Sequence, residues 1–184
     1  PLIVINLGAE LSTRLGLGHG NDEASELLTR WIPDVRDACF GESGVRLPGV
    51  RVRSGVAGVP GNVAVFKVKD VPVEAQAFSL DKVMCLGGLE HLERLGVEAE
   101  ATRNPLNEGP AMLVPAELED ALAGYGLSTW NLAGMVSLHL LRTARRHRAE
   151  LMGLQETVEA VKRLEKVCPD IVSELMPRVV TNSQ

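Results

Sequence analysis

Apolar residues at helical spacing dominate the stretch AELMGLQETVEAVKRLEKVCPDIVSELMP, which covers residues 149–177. They recur every three or four positions, so they share one face of a helix. Pro169 interrupts the pattern, and a second short amphipathic segment ends at Pro177. We therefore predict that residues beyond about 130 form a helical subdomain whose apolar stripe is mostly buried. The stripe consists of Leu151, Leu154, Val158, Val161 and Leu164.

The chain before about residue 128 has a different, mixed pattern. VRVR (50–53) and VAVFKVK (63–69) are typical of β-strands, and GVPGN (58–62) supplies a turn between them. Residues 21–42 form a predicted helix, which Pro33 should kink or divide because proline lacks a backbone N–H. The sequence therefore predicts an α+β region followed by a helical region.

No pattern for catalysis or cofactor binding stands out. GLGHGN lacks the third glycine of a dinucleotide-binding loop, and no histidines have metal-ligand spacing. Cys39, Cys85 and Cys168 form no zinc or redox motif. Cys85 is expected in the core with a raised pKa, and His139 is expected to be buried and hydrogen-bonded. We therefore predict a protein that is not an enzyme and binds no cofactor or metal.

Two surface segments are open to more than one interpretation. RTARRHR (142–148) could contact nucleic acid or acidic lipid, or could be a solvated or ion-paired subunit contact. The net charge of −5 favours the second interpretation, because phosphate binding needs a basic surface. RNPLNEGPA (103–111) is stiffened by two prolines and a glycine. It could present Leu106 and Asn107 to a partner at low entropic cost, or it could be a simple connector.

The chain carries a histidine–leucine pair, a basic stretch and an ELMGLQE segment, followed by a helix and a proline-bounded acidic–apolar segment. This arrangement resembles the FHIPEP family of type III export-gate proteins. Further motifs occur upstream in the family's order, so the resemblance extends over about residues 45–178. The matching segments are 49–73, 100–115, 123–126, 139–140, 145–156 and 169–177.

The resemblance implies an α+β architecture in three parts. A thioredoxin-like subdomain would comprise residues 1–70 and 111–128, and a small ferredoxin-like, ring-building insertion would comprise residues 71–110. A helical subdomain would follow over 129–184. Family members also carry a membrane domain and a fourth subdomain. Because the sequence opens on Pro1 rather than Met, we interpret it as a fragment that lacks both.

The resemblance also implies a function. The chain would be a cytoplasmic docking platform at the bacterial inner membrane, binding export chaperone–substrate complexes and other export-apparatus proteins such as the ATPase stalk and the gatekeeper. The full-length protein would form a homo-oligomeric ring, and no cofactor would be involved. A flagellar and an injectisome system both remain open.

A docking groove is expected between the first subdomain and the insertion. Asn104 and Asn107 stand where flagellar members carry an aspartate and a phenylalanine, so Leu106 would be the main apolar contact. The ring would use the basic helix against acidic residues of the helical subdomain. The expected partner-binding residues are Asn104, Pro105, Leu106, Asn107, Gly109, Pro110 and Leu138, and the expected oligomer-interface residues are Arg142, Arg145, Arg146 and Arg148.

Two other functions remain open at this point. The first is an enzyme with a thioredoxin-like fold, although the sequence has no CxxC motif. The second is a nucleic-acid-binding adaptor, which rests on the arginine cluster alone.

Overall fold

Two four-stranded sheets and a set of helices make up the part of the protein that the computed structural model describes. That part comprises residues 2–17, 25–44, 46–86, 89–151 and 153–170. No helix within these ranges is both long enough and apolar enough to cross a membrane. The α+β class expected from the sequence is therefore confirmed.

The first sheet is built around a buried N-terminal strand. It contains β1 (Ile3–Leu7), β2 (Val50–Arg53), β3 (Val63–Val68) and β4 (Val71–Ala77), in the order β2-β1-β3-β4. β2 lies parallel to β1, whereas β3 and β4 are antiparallel to their neighbours. Ile3, Ile5 and Leu7 alternate along β1 and have no exposed surface, since they point into the main core.

The second sheet is antiparallel throughout. Its strands are β5 (Lys82–Leu86), β6 (Glu100–Arg103), β7 (Pro110–Pro115) and β8 (Thr129–Trp130), in the order β6-β7-β5-β8. Two short helices, α3 (Leu89–Arg94) and α4 (Glu119–Gly124), accompany it. Leu92 and Leu122 from these helices form a small separate core with Val83 and Val114 of the sheet.

The division of strands between the sheets differs from the predicted subdomain boundaries at three places. The predicted helical subdomain begins at residue 129, yet Thr129 and Trp130 form β8, which pairs with β5. Residues 71–77 were assigned to the insertion, yet β4 pairs with β3. The two-residue turn at Lys69 and Asp70, both with positive φ, returns the chain directly onto β3 as a hairpin. Residues 111–128 were assigned to the first subdomain, yet β7 pairs with β5 and β6. The β3–β4 and β6–β7 hairpins therefore decide the sheet to which β4 and β7 belong.

The helices between β1 and β2 pack on the first sheet. α1 (Ala9–Arg14) follows β1, and a π-helical turn (Leu27–Trp31) runs directly into α2 (Ile32–Ser43). The predicted break near Pro33 thus takes the form of a change from π-helical to α-helical winding, with Pro33 in the first turn of α2. The predicted start of this helix at residue 21 lies outside the described residues.

α5 (Leu132–Arg146) is the central helix. It begins at Asn131, whose Oδ1 accepts a hydrogen bond of 2.9 Å from the amide of Gly134. Every residue from Ala133 to Leu141 is buried, because the helix contacts α2, β3, β5 and β8. A helix that is buried on nearly all sides holds both sheets and α2 to one another.

Two tryptophans close over the first turn of α5. The ring centroids of Trp31 and Trp130 are 5.3 Å apart. A Cβ atom on Gly134 would lie 3.1 Å from Cε3 of Trp130 and 3.2 Å from Cη2 of Trp31. Position 134 therefore favours glycine, because a Cβ atom there would require the two indole rings to move by a few tenths of an ångström.

The apolar stripe predicted for the last helix is buried only at its start. α6 (Arg148–Leu151) places Leu151 in the core, at 4% exposure. In α7 (Leu154–Val167), however, Val158 and Leu164 are 43% and 52% exposed, so their predicted burial is wrong. Periodicity identifies the apolar face of a helix, but it does not show what covers that face. The side chain of Leu154 and the segment ending at Pro177 lie outside the described residues.

We expect truncation of Leu140 in α5 and of Leu164 in α7 to have very different effects on stability. Leu140→Ala, at a position with no exposed surface, should lower the free energy of unfolding by about 2–5 kcal/mol. Leu164→Ala, on the exposed face of α7, should change it by less than about 0.5 kcal/mol. Urea denaturation followed by tryptophan fluorescence measures both. A large loss for Leu164→Ala would show that its stripe is covered.

Candidate docking groove

A cleft lies between the end of β4 and the edge strand β6, with α5 as its floor. It consists of two adjoining cavities of about 250 and 370 Å³. We call this cleft the docking groove and define it by the residues that border both cavities. These are Gln76, Thr102, Arg103, Pro105 and His139.

The two ends of the docking groove are bordered by different side chains. One end is bordered by four mostly buried apolar side chains together with Ser79 and Glu100, and the other is lined mainly by charged and amide groups. The four apolar residues are Phe78, Met84, Leu113 and Met135, and the second set is Asn104, Glu108 and Arg142. Apolar side chains beside polar groups are typical of sites that bind a peptide or protein surface.

The loop between β6 and β7 is held rigid by its own hydrogen bonds. Asn104 Oδ1 accepts from the amide of Leu106, and Asn107 Oδ1 accepts from the amide of Gly109, each at 2.9 Å. The backbones of Asn104 and Gly109 are also joined, at 2.9 Å, and Arg103 Nη1 donates to the carbonyl of Glu108 at 3.0 Å. The rim that this loop forms is therefore preorganised, as the two prolines and the glycine predicted.

A buried carboxylate links β4 to α5 beneath the docking groove. Glu74 Oε1 lies 2.5 Å from Nδ1 of His139 and accepts from Nη2 of Arg142 at 2.5 Å. Its other oxygen accepts from the hydroxyl of Thr143 at 3.2 Å. Because an ionised carboxylate only accepts hydrogen bonds, Nδ1 of His139 carries the proton of this contact. The side chain of Glu74 is 11% exposed, so this contact is largely removed from water.

The surroundings of Glu74 keep it ionised. Burial by itself would raise its pKa, but the hydrogen bonds from His139 and Arg142 outweigh burial and lower the pKa to about 2. The irregularity in the β3–β4 pairing at Phe66 and Lys67 explains why a charged residue faces the helix. Val73 is the extra residue there, so the alternation is displaced and Glu74 takes the inward position opposite Phe66.

The expected partner-binding residues are distributed between the groove and its supporting structure. Asn104 and Pro105 line the docking groove. Leu106 is half-buried and packs against the main core, and Leu138 is 3% exposed. Met135 and His139 form the helical side of the groove instead. The remaining three, Asn107, Gly109 and Pro110, belong to the β6–β7 loop and the start of β7.

The expected oligomer-interface arginines have contacts within the chain. Arg142 belongs to the Glu74 contact, and Arg145 Nε donates to Glu42 at 3.1 Å. Arg146 lies 3.8 Å from Glu108, and Arg148 lies 3.8 Å from Glu42. The side chains of Arg146 and Arg148 remain 60% and 47% exposed, so these two are the members most accessible to another protein.

Two residues noted in the sequence are found as expected. His139 is buried and hydrogen-bonded, and Cys85 is fully buried, which raises the pKa of its thiol. Within the described ranges, no three His, Cys, Asp or Glu side chains lie close enough together to hold a metal ion. Sequence reasoning did not find Glu74, Gln76 or Thr102, because nothing in their local pattern shows that they face a groove formed by two sheets.

Comparison with known proteins connects this chain to a family. The family model described as FHIPEP family matches residues 3–184. The chain is 26% identical over 156 residues to the flagellar biosynthesis protein FlhA of Bacillus subtilis. It is 23% identical over 141 residues to the low calcium response locus protein D of Yersinia pestis. These matches cover 85% and 77% of the chain but only 22% and 20% of the relatives, so the chain spans about a fifth of their length.

Solved structures have the same fold. The CdsV protein in its complex with CdsO, from Chlamydia pneumoniae, superposes with a TM-score of 0.79 at 22% identity. This match covers 96% of the chain and 50% of CdsV. The nonameric SctV-C assembly of EPEC superposes with a TM-score of 0.62 at 16% identity, covering 97% of the chain and 50% of its counterpart.

We expect loss of one partner from the Glu74 contact to destabilise the fold far more than loss of one partner from a comparable surface ion pair. Glu74→Ala should lower the free energy of unfolding by about 3 kcal/mol, because it leaves Arg142 partly buried without a counter-charge. Glu42→Ala is the matched control, since it removes the carboxylate from Arg145 at the surface and should cost less than about 1 kcal/mol. If urea denaturation shows that Glu74→Ala and Glu42→Ala lose the same free energy of unfolding, the Glu74 contact is no more important for stability than a surface ion pair.

The same contact should make stability depend on acidity. The pKa of Glu74 in the folded protein, about 2, lies below its ordinary value of 4.5, so its contribution is fully present above pH 4.5. That contribution is lost as the pH falls from 4.5 towards 2. Denaturation midpoints measured over this window should therefore fall more steeply for the wild type than for Glu74→Gln. Parallel curves would show that Glu74 does not carry the effect.

Proposed function

Because the chain belongs to the FHIPEP family, we propose that it is part of the cytoplasmic docking platform of a type III protein export gate. It binds export chaperone–substrate complexes and other components of the export apparatus, and it acts by binding without catalysis. In this proposal the chain lies on the cytoplasmic side of the bacterial inner membrane. The names of its relatives, a flagellar biosynthesis protein and a low calcium response protein, support a role in such a system.

The position of the docking groove is the observation that carries this proposal. The resemblance placed partner binding at the loop of residues 104–110, between two subdomains. A cavity of about 370 Å³ along that loop opens between the two sheets and is lined by Asn104 and Pro105. A cleft between two packed units is a common location for a binding site, since each unit contributes one wall.

The rigidity of the groove supports docking rather than a connector role for the loop. The rim is fixed by the hydrogen bonds of Asn104 and Asn107, and the floor is fixed by the Glu74 contact with α5. A preorganised site loses little conformational entropy when a partner binds, so more of the contact energy remains as affinity. Leu106 supports the rim from below, and the apolar contacts to a partner come from the end that contains Phe78 and Met135.

Assembly into a ring is the second part of the proposal. The relative from EPEC is a nonameric assembly, and the CdsV structure is a complex with CdsO. A closed ring needs two different surfaces on each subunit, and Arg146 and Arg148 offer one exposed basic surface. Arg142 and Arg145 stabilise the subunit itself through Glu74 and Glu42.

Filling the groove with a large side chain tests the docking proposal. Thr102→Trp should weaken binding of a purified chaperone–substrate complex from the same secretion system about tenfold or more, because the indole occupies the cavity. Isothermal titration calorimetry measures the affinity.

The neighbouring residue provides a matched control. Ala101 lies on the same strand, is exposed, and points to the opposite face of the sheet. Ala101→Trp should leave the affinity unchanged while adding the same side chain. Undiminished binding by Thr102→Trp would place the docking surface elsewhere.

A further inference from the structure

The β4 strand has an open edge that borders the docking groove. It lies at the end of the first sheet, where it pairs with β3 on one side. Gln76 and Ala77, near its C-terminal end, line the cavities of the groove. An edge strand presents backbone N–H and C=O groups that can pair with a further strand.

The pairing of β4 with β3 determines which backbone N–H and C=O groups of β4 point away from β3. The amide of Phe78 donates to the carbonyl of Asn62 at 2.9 Å, and the carbonyl of Phe78 accepts from Nδ2 of Asn62 at 3.1 Å, so these two residues bond to each other across the hairpin. Such pairs alternate along an antiparallel ladder, and Gln76 and Glu74 therefore also bond to β3. Ala75 and Ala77 must direct their N–H and C=O groups away from β3.

The outward groups of these two alanines are largely unused. Within the described part of the chain, no backbone hydrogen bond outside the β3–β4 ladder involves the amide of Ala75, the amide of Ala77 or the carbonyl of Ala75. The Ala77 carbonyl accepts from Nε2 of its neighbour Gln76 at 2.8 Å. Three backbone groups are thus available to an extended segment.

The edge is protected at one end but not at the other. Pro72 and the displaced pairing beside it interrupt the first half of β4, and both features hinder the addition of a strand. The second half, from Glu74 to Ala77, has neither proline nor an outward-facing charged side chain, because Glu74 turns inward to α5. This unprotected half is the part that borders the docking groove.

The opposite wall of the groove is less suited to pairing. β6 is also an edge strand, but it carries charged side chains at Glu100 and Arg103. Glu100 is paired with Lys82, and Arg103 folds back onto the carbonyl of Glu108. Charged side chains of this kind are a common means by which proteins keep edge strands from pairing.

We propose that an extended segment of the chaperone–substrate complex docks by adding as a strand to the open edge of β4. The inference rests on the proposed function and adds the mode of recognition. Backbone hydrogen bonds to Ala75 and Ala77 hold the segment, and an apolar side chain of the segment enters the end lined by Phe78 and Met135. Recognition then depends on an extended backbone with one apolar residue, so substrates with different sequences can share the site.

Residue-resolved hydrogen exchange tests this mode in the wild-type protein. The amides of Ala75 and Ala77 should exchange fast in the free protein and about tenfold or more slower with a purified chaperone–substrate complex from the same secretion system. The amide of Gln76, already bonded to β3, should change far less. Binding that leaves the exchange of Ala75 and Ala77 unchanged would overturn strand addition.

Proline variants test the same point by affinity. Ala77→Pro removes an outward N–H without breaking the β3–β4 ladder and should weaken binding about tenfold, the equivalent of one lost hydrogen bond. Ala101→Pro removes an outward N–H from β6 and is the matched control, with unchanged affinity expected. Circular dichroism verifies that each variant is folded.

The outcomes separate the two proposals. If Thr102→Trp weakens binding but Ala77→Pro does not, docking in the groove stands and strand addition is wrong. If only Ala101→Pro lowers the affinity, the partner strand pairs with β6, and the proposal for β4 is wrong. If the wild-type protein does not bind the complex at all, both the proposed function and strand addition fail.

Discussion

The contact between the Glu74 carboxylate and α5 is the interaction on which the rest of this structure depends. It joins the edge strand of the first sheet to the central helix through His139, Arg142 and Thr143. Since the same helix also contacts the second sheet, the position of β4 relative to β6 is set through α5. The docking groove forms because α5 holds the edge strands β4 and β6 apart and in a fixed relative position.

The apolar packing around α5 makes this arrangement specific. The helix is buried from Ala133 to Leu141, and the two tryptophans that close over Gly134 fix its first turn. A buried charge contact adds little net stability by comparison, because desolvation offsets most of its electrostatic gain. Its effect is to exclude other placements of β4, since any shift would leave Glu74 and Arg142 without partners. Packing therefore supplies most of the stability, and the buried pair determines the geometry of the groove.

Several features of the fold could be predicted from local sequence, and others could not. The helix over 154–167 follows from its periodicity, and the rigid loop at 104–109 follows from its proline, asparagine and glycine content. The exposure of Leu164 could not be predicted, because helical periodicity does not show whether another element packs against the apolar face. Glu74 was missed for a different reason. Simple alternation in VPVEAQA places the glutamate opposite the valines, and only the extra residue in the β3–β4 pairing turns it inward.

We expect partners to bind between the two sheets. A crystal structure of this protein with a chaperone–substrate complex from its own secretion system would show where the partner binds. We expect the bound partner to fill the docking groove, in contact with Gln76 and Thr102, while Glu74 remains bonded to His139 and Arg142. A complex in which the partner binds another surface and leaves the groove empty would show that the docking groove is not the binding site.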